Sequence, residues 1–486
     1  MLLATGAFIS TRVQGSRSVA TLNRLLAVIL VGACQRPMPM HQPRSPAEQV
    51  RDRALAESKA HEYVRELCDS VGPRLAGTAG DGMAVAWAKA KMVAIGLSNV
   101  RTEPVAVVHW ERGRESAEVT SPAKLALALS ALGGSVATPE QGIESEIVEI
   151  KSLADVDALP VDALRGKIAF FNQPMERTRD GAGYGRVSPI RQSGASKAAA
   201  QGAVGMLMRS LSTAENRLPH TGAMHYDEGA PKIPAAALSP PDADLLQRLL
   251  VTGHPVRVHF TLGCRSFPEA NSANVVGEVL GRDKPDEVLL IGAHLDSWDL
   301  ATGALDDGVG VGMVLEVGRL IGQMHPHPRR TVRVVLFSNE EHGLSGAHAY
   351  ARTHESELER HVAALELDHG TGKAYGIAYL GGPAAAPVIE EAWLPIQALG
   401  LPRPTSPTRG GADLIPMHPA GVPLLTVQQD GTQYFDIHHS ADDTYDKVDP
   451  AAMSQTVAVA AALVYGLADA EKDLGRVPLD QRPKTR

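Results

Sequence analysis

Three segments in the second half of the chain share one pattern, an almost unbroken apolar run that stops at an acid or a histidine: DEVLLIGAH (286–294), RTVRVVLFSN (330–339) and HVAALELD (361–368). Runs without polar alternation are what parallel strands covered on both faces require. The stretch 307–323 between the first two has a helical pattern and supplies a crossover. Strand and helix in alternation predict an open α/β sheet, in which ligands bind beyond the C-terminal ends of the strands. The polar residues at those ends, His294, the pair Glu340 and Glu341, and Asp368, are therefore the first candidates for chemistry.

The first half reads differently. Ser45, Pro46 and Glu48 form a capping box that opens a helix expected to run to about Cys68. VGPRLAGTAG breaks it, DGMAVAWAKAKMVAIGL (81–97) predicts a second helix, and residues 104–120 alternate as strands. From 121 to 268 short apolar segments are divided by Gly, Pro and Ser, which predicts a small inserted α/β domain. It holds no tight cluster of histidines and acids, so its expected task is to shape or cover a site.

Residues 1–24 carry arginines and no acid and lead into LLAVILVGAC (25–34), an apolar stretch too short to span a bilayer. Residues 1–34 are thus expected to be a signal peptide, and the chain exported to a periplasmic or extracellular location. The ending at Cys34 resembles a lipoprotein cleavage box, which would anchor the mature chain to a membrane. The remaining blocks are a catalytic domain in two parts, 35–120 and 269–472, around the insert 121–268, and a polar tail, 473–486.

A chain of 486 residues with 44% apolar content can bury substantial cores. Its net charge of −8 provides no basic field for phosphates, which argues against a nucleic-acid partner. Beyond Cys34 only Cys68 and Cys264 remain, enough for at most one disulfide.

The candidate site grows from its donors. Asp296 lies two residues after His294, on the same side of an extended chain, where a carboxylate commonly orients a metal-binding imidazole. Asp306 follows in a Gly-rich loop and has two oxygens able to bridge cations, while Asp307 suits a helix cap. Adjacent Glu340 and Glu341 point in different directions, so one can hold a cation and the other face its water. In YFDIHHSADDTYDKVDP, His439 adds a ligand, with Ser440 and Asp443 to support it. His294, Asp306, Glu341, Asp368 and His439 are the inventory of a two-metal hydrolytic site, and nitrogen and oxygen donors suit two Zn2+ ions, with Co2+ or Mn2+ as substitutes.

These ligands, together with VGPRLAGTAG, GKIAFFNQP, AHLDSWDLATGALDDGVG, GADLIPMHPAGVPLL and HHSADDTYDKVDP in order across about residues 55–470, resemble the co-catalytic di-zinc exopeptidases of the aminopeptidase and glutamate carboxypeptidase clan. The plasma glutamate carboxypeptidases are the most similar branch. The resemblance implies a three-layer αβα sandwich of the zinc-exopeptidase (phosphorylase/hydrolase-like) type with an inserted protease-associated domain. It further implies a homodimer and a non-proline cis peptide after Asp306. Asp306 would bridge the ions, His294 and Asp368 completing one site and Glu341 and His439 the other. Glu340 would be the general base, and His438 would stabilise the oxyanion.

Departures are Ser338 and Asn339 before the acids, His342 after them, and Ala412 where the similar branch has threonine. Arg409 is a candidate for holding a substrate carboxylate; His325, His327, His354 and His418 are expected at the surface. Trp110 either meets the cleft or pins the insert. The resulting expectation is an exopeptidase for short peptides, chiefly dipeptides with free ends. A general aminopeptidase, a single-zinc glutaminyl cyclase and a non-catalytic binding protein on the same fold remain the alternatives.

Overall fold

The computed structural model describes residues 44–482, so the signal segment 1–34 and Cys34 lie outside the described residues. Seven strands form the main sheet, in the order Ser98–Val107, Ala270–Val279, Arg330–Phe337, Lys284–His294, His361–Glu366, Leu424–Gln429 and Ala374–Leu380. The middle four run parallel, and the flanking strands pair antiparallel.

Two cores explain the unbroken apolar runs. Leu289, Ile291 and Ala293 face one side, with Val332, Val334 and Leu336 of the neighbouring strand. There they meet the helices Val309–Gly322 and Pro450–Asp469, the second buried through most of its length. Leu290, Val335 and Phe337 face the other side, toward Tyr350 of the helix Ser345–Thr353. Each strand is sealed on both faces, and polar groups are left for its ends.

The first helix is two: Pro46–Glu57, with the capping box in place, and Ala60–Ser70. The break at Ser58 has a tertiary cause, because the Lys59 amide donates to the fully buried carboxylate of Glu316 (3.0 Å) instead of continuing the first helix.

An eight-stranded sheet is built from strands between residues 115 and 262, in the order Leu125–Leu127, Glu115–Ser121, Arg257–Leu262, Ile143–Ile150, Ile168–Phe171, Gly205–Arg209, Ala235–Leu238 and Leu129–Ala131. Glu115–Ser121 therefore belongs with the insert's sheet and not with the block ending at 120. Alternation alone does not say which sheet a strand joins; here Ala117 and Val119 are buried with Val258 and Phe260. Trp110 pins this unit from beneath: it is buried, donates to the Ser135 carbonyl (3.0 Å), and stands edge-on to Trp298.

The stretch from 473 to 482 is packed, not a free polar tail. Leu474 and Val477 are buried, and Arg476 donates to the carbonyls of Leu358 (2.8 Å) and His361 (3.0 Å). Cys68 and Cys264 are both buried free thiols.

Candidate metal centre

Register aligns the strand ends. His294 lies opposite Phe337 on one neighbour, and Gly292 opposite Glu366 on the other, so the residues that follow emerge along one edge. Onto this edge fold the turn Ala304–Gly308, in which the Asp306–Asp307 peptide is cis, and the loop carrying His438 and His439.

The five sequence-derived donors converge. His294 Nε2 lies 3.1 Å from Asp306 Oδ1 and 3.8 Å from Asp368 Oδ1. His439 Nε2 lies 3.1 Å from Asp306 Oδ2 and 2.9 Å from Glu341 Oε2. Asp306 thus stands between two imidazoles with one oxygen toward each. His438 stacks on His439 at 3.5 Å, and its Nε2 comes within 3.5 Å of Asp306 Oδ2, so it too could serve as a donor.

The surrounding bonds say what belongs in the middle. His294 Nδ1 is 3.1 Å from the Asp296 carbonyl and His439 Nδ1 is 3.2 Å from the Thr221 carbonyl. A carbonyl only accepts, so each Nδ1 carries the proton and each Nε2 presents a lone pair to the carboxylates. Asp306 Oδ2 and Glu341 Oε1 have no hydrogen-bond donor although they are buried. Either a second proton on each imidazole or a cation between the groups has to meet these lone pairs, and a set of imidazole nitrogens and carboxylate oxygens fits a metal ion.

Charge tells the same story. Burial pushes the Glu341 carboxyl up to about 7, with Asp306 adding to the effect, and lifts Asp368 to about 6. Glu340 is held well above the usual carboxylate range by burial and by the negative charges of Glu341 and Asp368. Burial works against an imidazolium at His294, but the carboxylates of Asp296 and Asp306 outweigh it and raise its pKa. His438 is held well below the usual value by burial and by His439 beside it.

Support for the donors comes from buried acids. Asp296 does not hold the His294 ring: its carboxylate stands 3.7 Å from Nδ1, beyond a hydrogen bond. It accepts the backbone N–H groups of Glu340 (3.0 Å) and Glu341 (3.3 Å), fixing the turn that presents both acids. Asp443 acts likewise on the other side, accepting from Leu305 (2.6 Å) and Asp306 (3.2 Å). Asp307 caps its helix through Gly310 N (3.0 Å) and also accepts from His294 N (3.2 Å). Arg74, fully buried, donates to the carbonyls of Leu295, Thr302 and Gly303 and so pins the loop between the two acids.

Glu340, Glu341, Asp368, His438 and His439 line a cavity of about 570 Å3 whose far wall comes from the insert, including Tyr184 and Arg191. Arg409 is exposed and does not line it. The arginine of the cavity is Arg191, 7% exposed, with Nε lacking any partner. Nothing in the local sequence of the helix Ala182–Ala200 marked it, because its neighbours lie far along the chain. His354 and His418 are buried, not superficial: His354 bridges Glu103 (3.0 Å) and Glu357 (3.1 Å). Glu366, beside Asp368, and Asp413, beside Glu366, are two further buried acids that the sequence did not mark.

Comparison with known proteins agrees with this architecture. Residues 274–464 match Peptidase family M28. The chain is 35% identical to carboxypeptidase Q of Mus musculus, over 86% of this chain and 88% of that one. A peptidase M28 precursor from Shewanella amazonensis superposes with a TM-score of 0.88 at 43% identity, covering 90% of this chain and 98% of that one. A zinc aminopeptidase from Bacillus subtilis has a similar fold, with a TM-score of 0.62 at 21% identity over 87% and 98% of the two chains.

Proposed function

The chain belongs to peptidase family M28, and on that footing we propose that it is an exported, zinc-dependent exopeptidase hydrolysing short peptides, above all dipeptides with both ends free. Two Zn2+ sites would share Asp306, with His294 and Asp368 completing one and Glu341 and His439 the other. Bound there, zinc supplies the positive charge that acidifies water and polarises a carbonyl.

The chain's own groups do the rest. Glu340 takes the proton of the attacking water and returns it to the leaving amine; the burial that raises its carboxyl above the usual range favours its holding that proton between the two steps. Asp296 keeps Glu340 in place by holding its amide. His438, neutral and with Nδ1 unpartnered, offers a polar contact to the developing oxyanion. Arg191, in place of Arg409, pairs with the terminal carboxylate of a short substrate, a contact favoured by its unused Nε. The observation that carries the reading is the placement of Asp306 between the two imidazoles, with Glu340 lining the same cavity.

The test compares zinc-loaded protein and Glu340→Gln on free dipeptides, the same dipeptides amidated at the C-terminus, and an aminoacyl anilide. Cleavage of free dipeptides alone, abolished in Glu340→Gln with zinc content unchanged, is expected. Equal cleavage of all three substrates makes the protein a general aminopeptidase, and cleavage of none by protein holding zinc overturns the hydrolase reading.

A further inference from the structure

A smaller recess of about 270 Å3 opens off the cavity, the two sharing Asp180, Asp368, His369 and Ala412 in their walls. Its lining includes three carboxylates, Asp180, Glu366 and Asp368, and neither lysine nor arginine. Asp368 is a ligand in the metal reading above. Glu366 is not: among the described residues, neither it nor Asp413 belongs to a group of three side chains spaced to hold a metal.

Glu366 is 6% exposed, and only one of its oxygens has a donor: Oε2 accepts from the Asp413 amide (3.0 Å), while Oε1 has no partner. Behind it Asp413 is fully buried with both carboxylate oxygens unpartnered. Of these two acids Glu366 lines the recess, and an acceptor without a donor beside a void is costly in a folded protein unless something that donates enters the void. Gly411 keeps that arrangement open, since a Cβ there would lie 2.2 Å from Glu366 Oε2.

We propose that Glu366, with Asp413 behind it, receives the free α-ammonium of the substrate. The proposal rests on the peptidase reading and adds which residue recognises the amino terminus. An α-ammonium is one carbon from the scissile carbonyl, so its counter-ion must stand beside the metal ligands; Glu366 is two residues before Asp368 on the same sheet edge. An ammonium is compact and carries three donors with no acceptor, which matches the unpaired Oε1 of Glu366 and the other carboxylates of the recess wall.

The experiment measures kcat and KM for alanylalanine and its des-amino analogue, propionylalanine, with zinc-loaded wild type, Glu366→Gln and Gly411→Ala. In wild type the des-amino compound is expected to be on the order of 100-fold poorer in kcat/KM, the scale of a buried charge contact. Glu366→Gln loses about that factor on alanylalanine, chiefly in KM, and changes propionylalanine less than about threefold. Gly411→Ala, whose methyl group displaces the carboxylate, shows the same selective loss and serves if Glu366→Gln does not fold.

A Glu366→Gln loss shared equally by both substrates assigns the residue a structural role and overturns the proposal, as does a wild type indifferent to the amine. Calorimetric binding of the two compounds to zinc-loaded Glu340→Gln separates the readings. Amine-dependent binding without turnover in wild type refutes the peptidase and keeps Glu366, whereas equal binding refutes Glu366 alone.

Discussion

Replacing Asp296 isolates the part of the site that positions the two glutamates. Its carboxylate, 1% exposed, accepts the Glu340 and Glu341 amides at 3.0 and 3.3 Å, and the His294 ring bonds the Asp296 main-chain carbonyl instead of the side chain. Hydrogen bonds to a charged group contribute about 1.5–3 kcal/mol each, so Asp296→Ala should cost ~3–6 kcal/mol. Asn retains one accepting oxygen and turns an NH2 toward the other amide, so Asp296→Asn should cost about half as much. Urea unfolding of the zinc-free variants reads this directly, since no ligand energy is involved. Turnover should fall about 100-fold in Asp296→Asn, because a shift of the turn by about 1 Å is enough to misplace the base. Were Asp296 instead to act through the imidazole, Asn would accept from Nδ1 as well as Asp and be nearly silent. An Asp296→Asn variant with wild-type midpoint and wild-type kcat therefore refutes the reasoning.

Two further outcomes follow from the buried charges. Burial holds Glu341 and Asp443 at about 7 and Asp368 at about 6, above their ordinary 4.5, 3.8 and 3.8, so each binds its proton more tightly folded than unfolded. That contribution is complete below the ordinary values, declines as pH rises toward the folded ones, and is gone above them. The raised His294 and His439 act in the same direction above 6.5, while Asp306, held low, matters only below its ordinary 3.8. Buried His220, His342 and His361, each held at about 4, act in the opposite direction below 6.5, so Tm of chelator-treated protein should fall between about pH 6.5 and 7.5, and added zinc should restore most of it at the upper end; a zinc-free Tm that rises over this interval contradicts the assignment. Arg74→Ala removes three charge-assisted bonds from a fully buried guanidinium, and its urea midpoint should report a loss of about 4.5–9 kcal/mol, with Arg74→Lys recovering only part of it.

The convergence of the candidate donors was legible because chemistry demands particular residue types at strand ends, and apolar runs reveal where strands stop. His294, Asp306, Glu340, Glu341, Asp368 and His439 all occupy such ends or the loops just beyond them. What holds them was less legible. The first helix divides because of Glu316, 257 residues from Lys59 in the chain, and Arg74 reaches carbonyls more than 220 residues away. Arg409 and Arg191 show the same limit: one sits in a suggestive glycine-rich context and points outward, the other lies unremarked in a helix and lines the cavity. Glu366 carried one usable signal, its place two residues before Asp368, which alternation puts on the same side.

The Thr221 carbonyl that fixes the proton on His439 belongs to the chain segment of the insert, 218 residues before the imidazole it serves. The insert is therefore not an exchangeable module. A graft of another domain onto the sandwich would have to reproduce the position of one main-chain oxygen, a requirement that no single side chain encodes and that residue-by-residue comparison would not display.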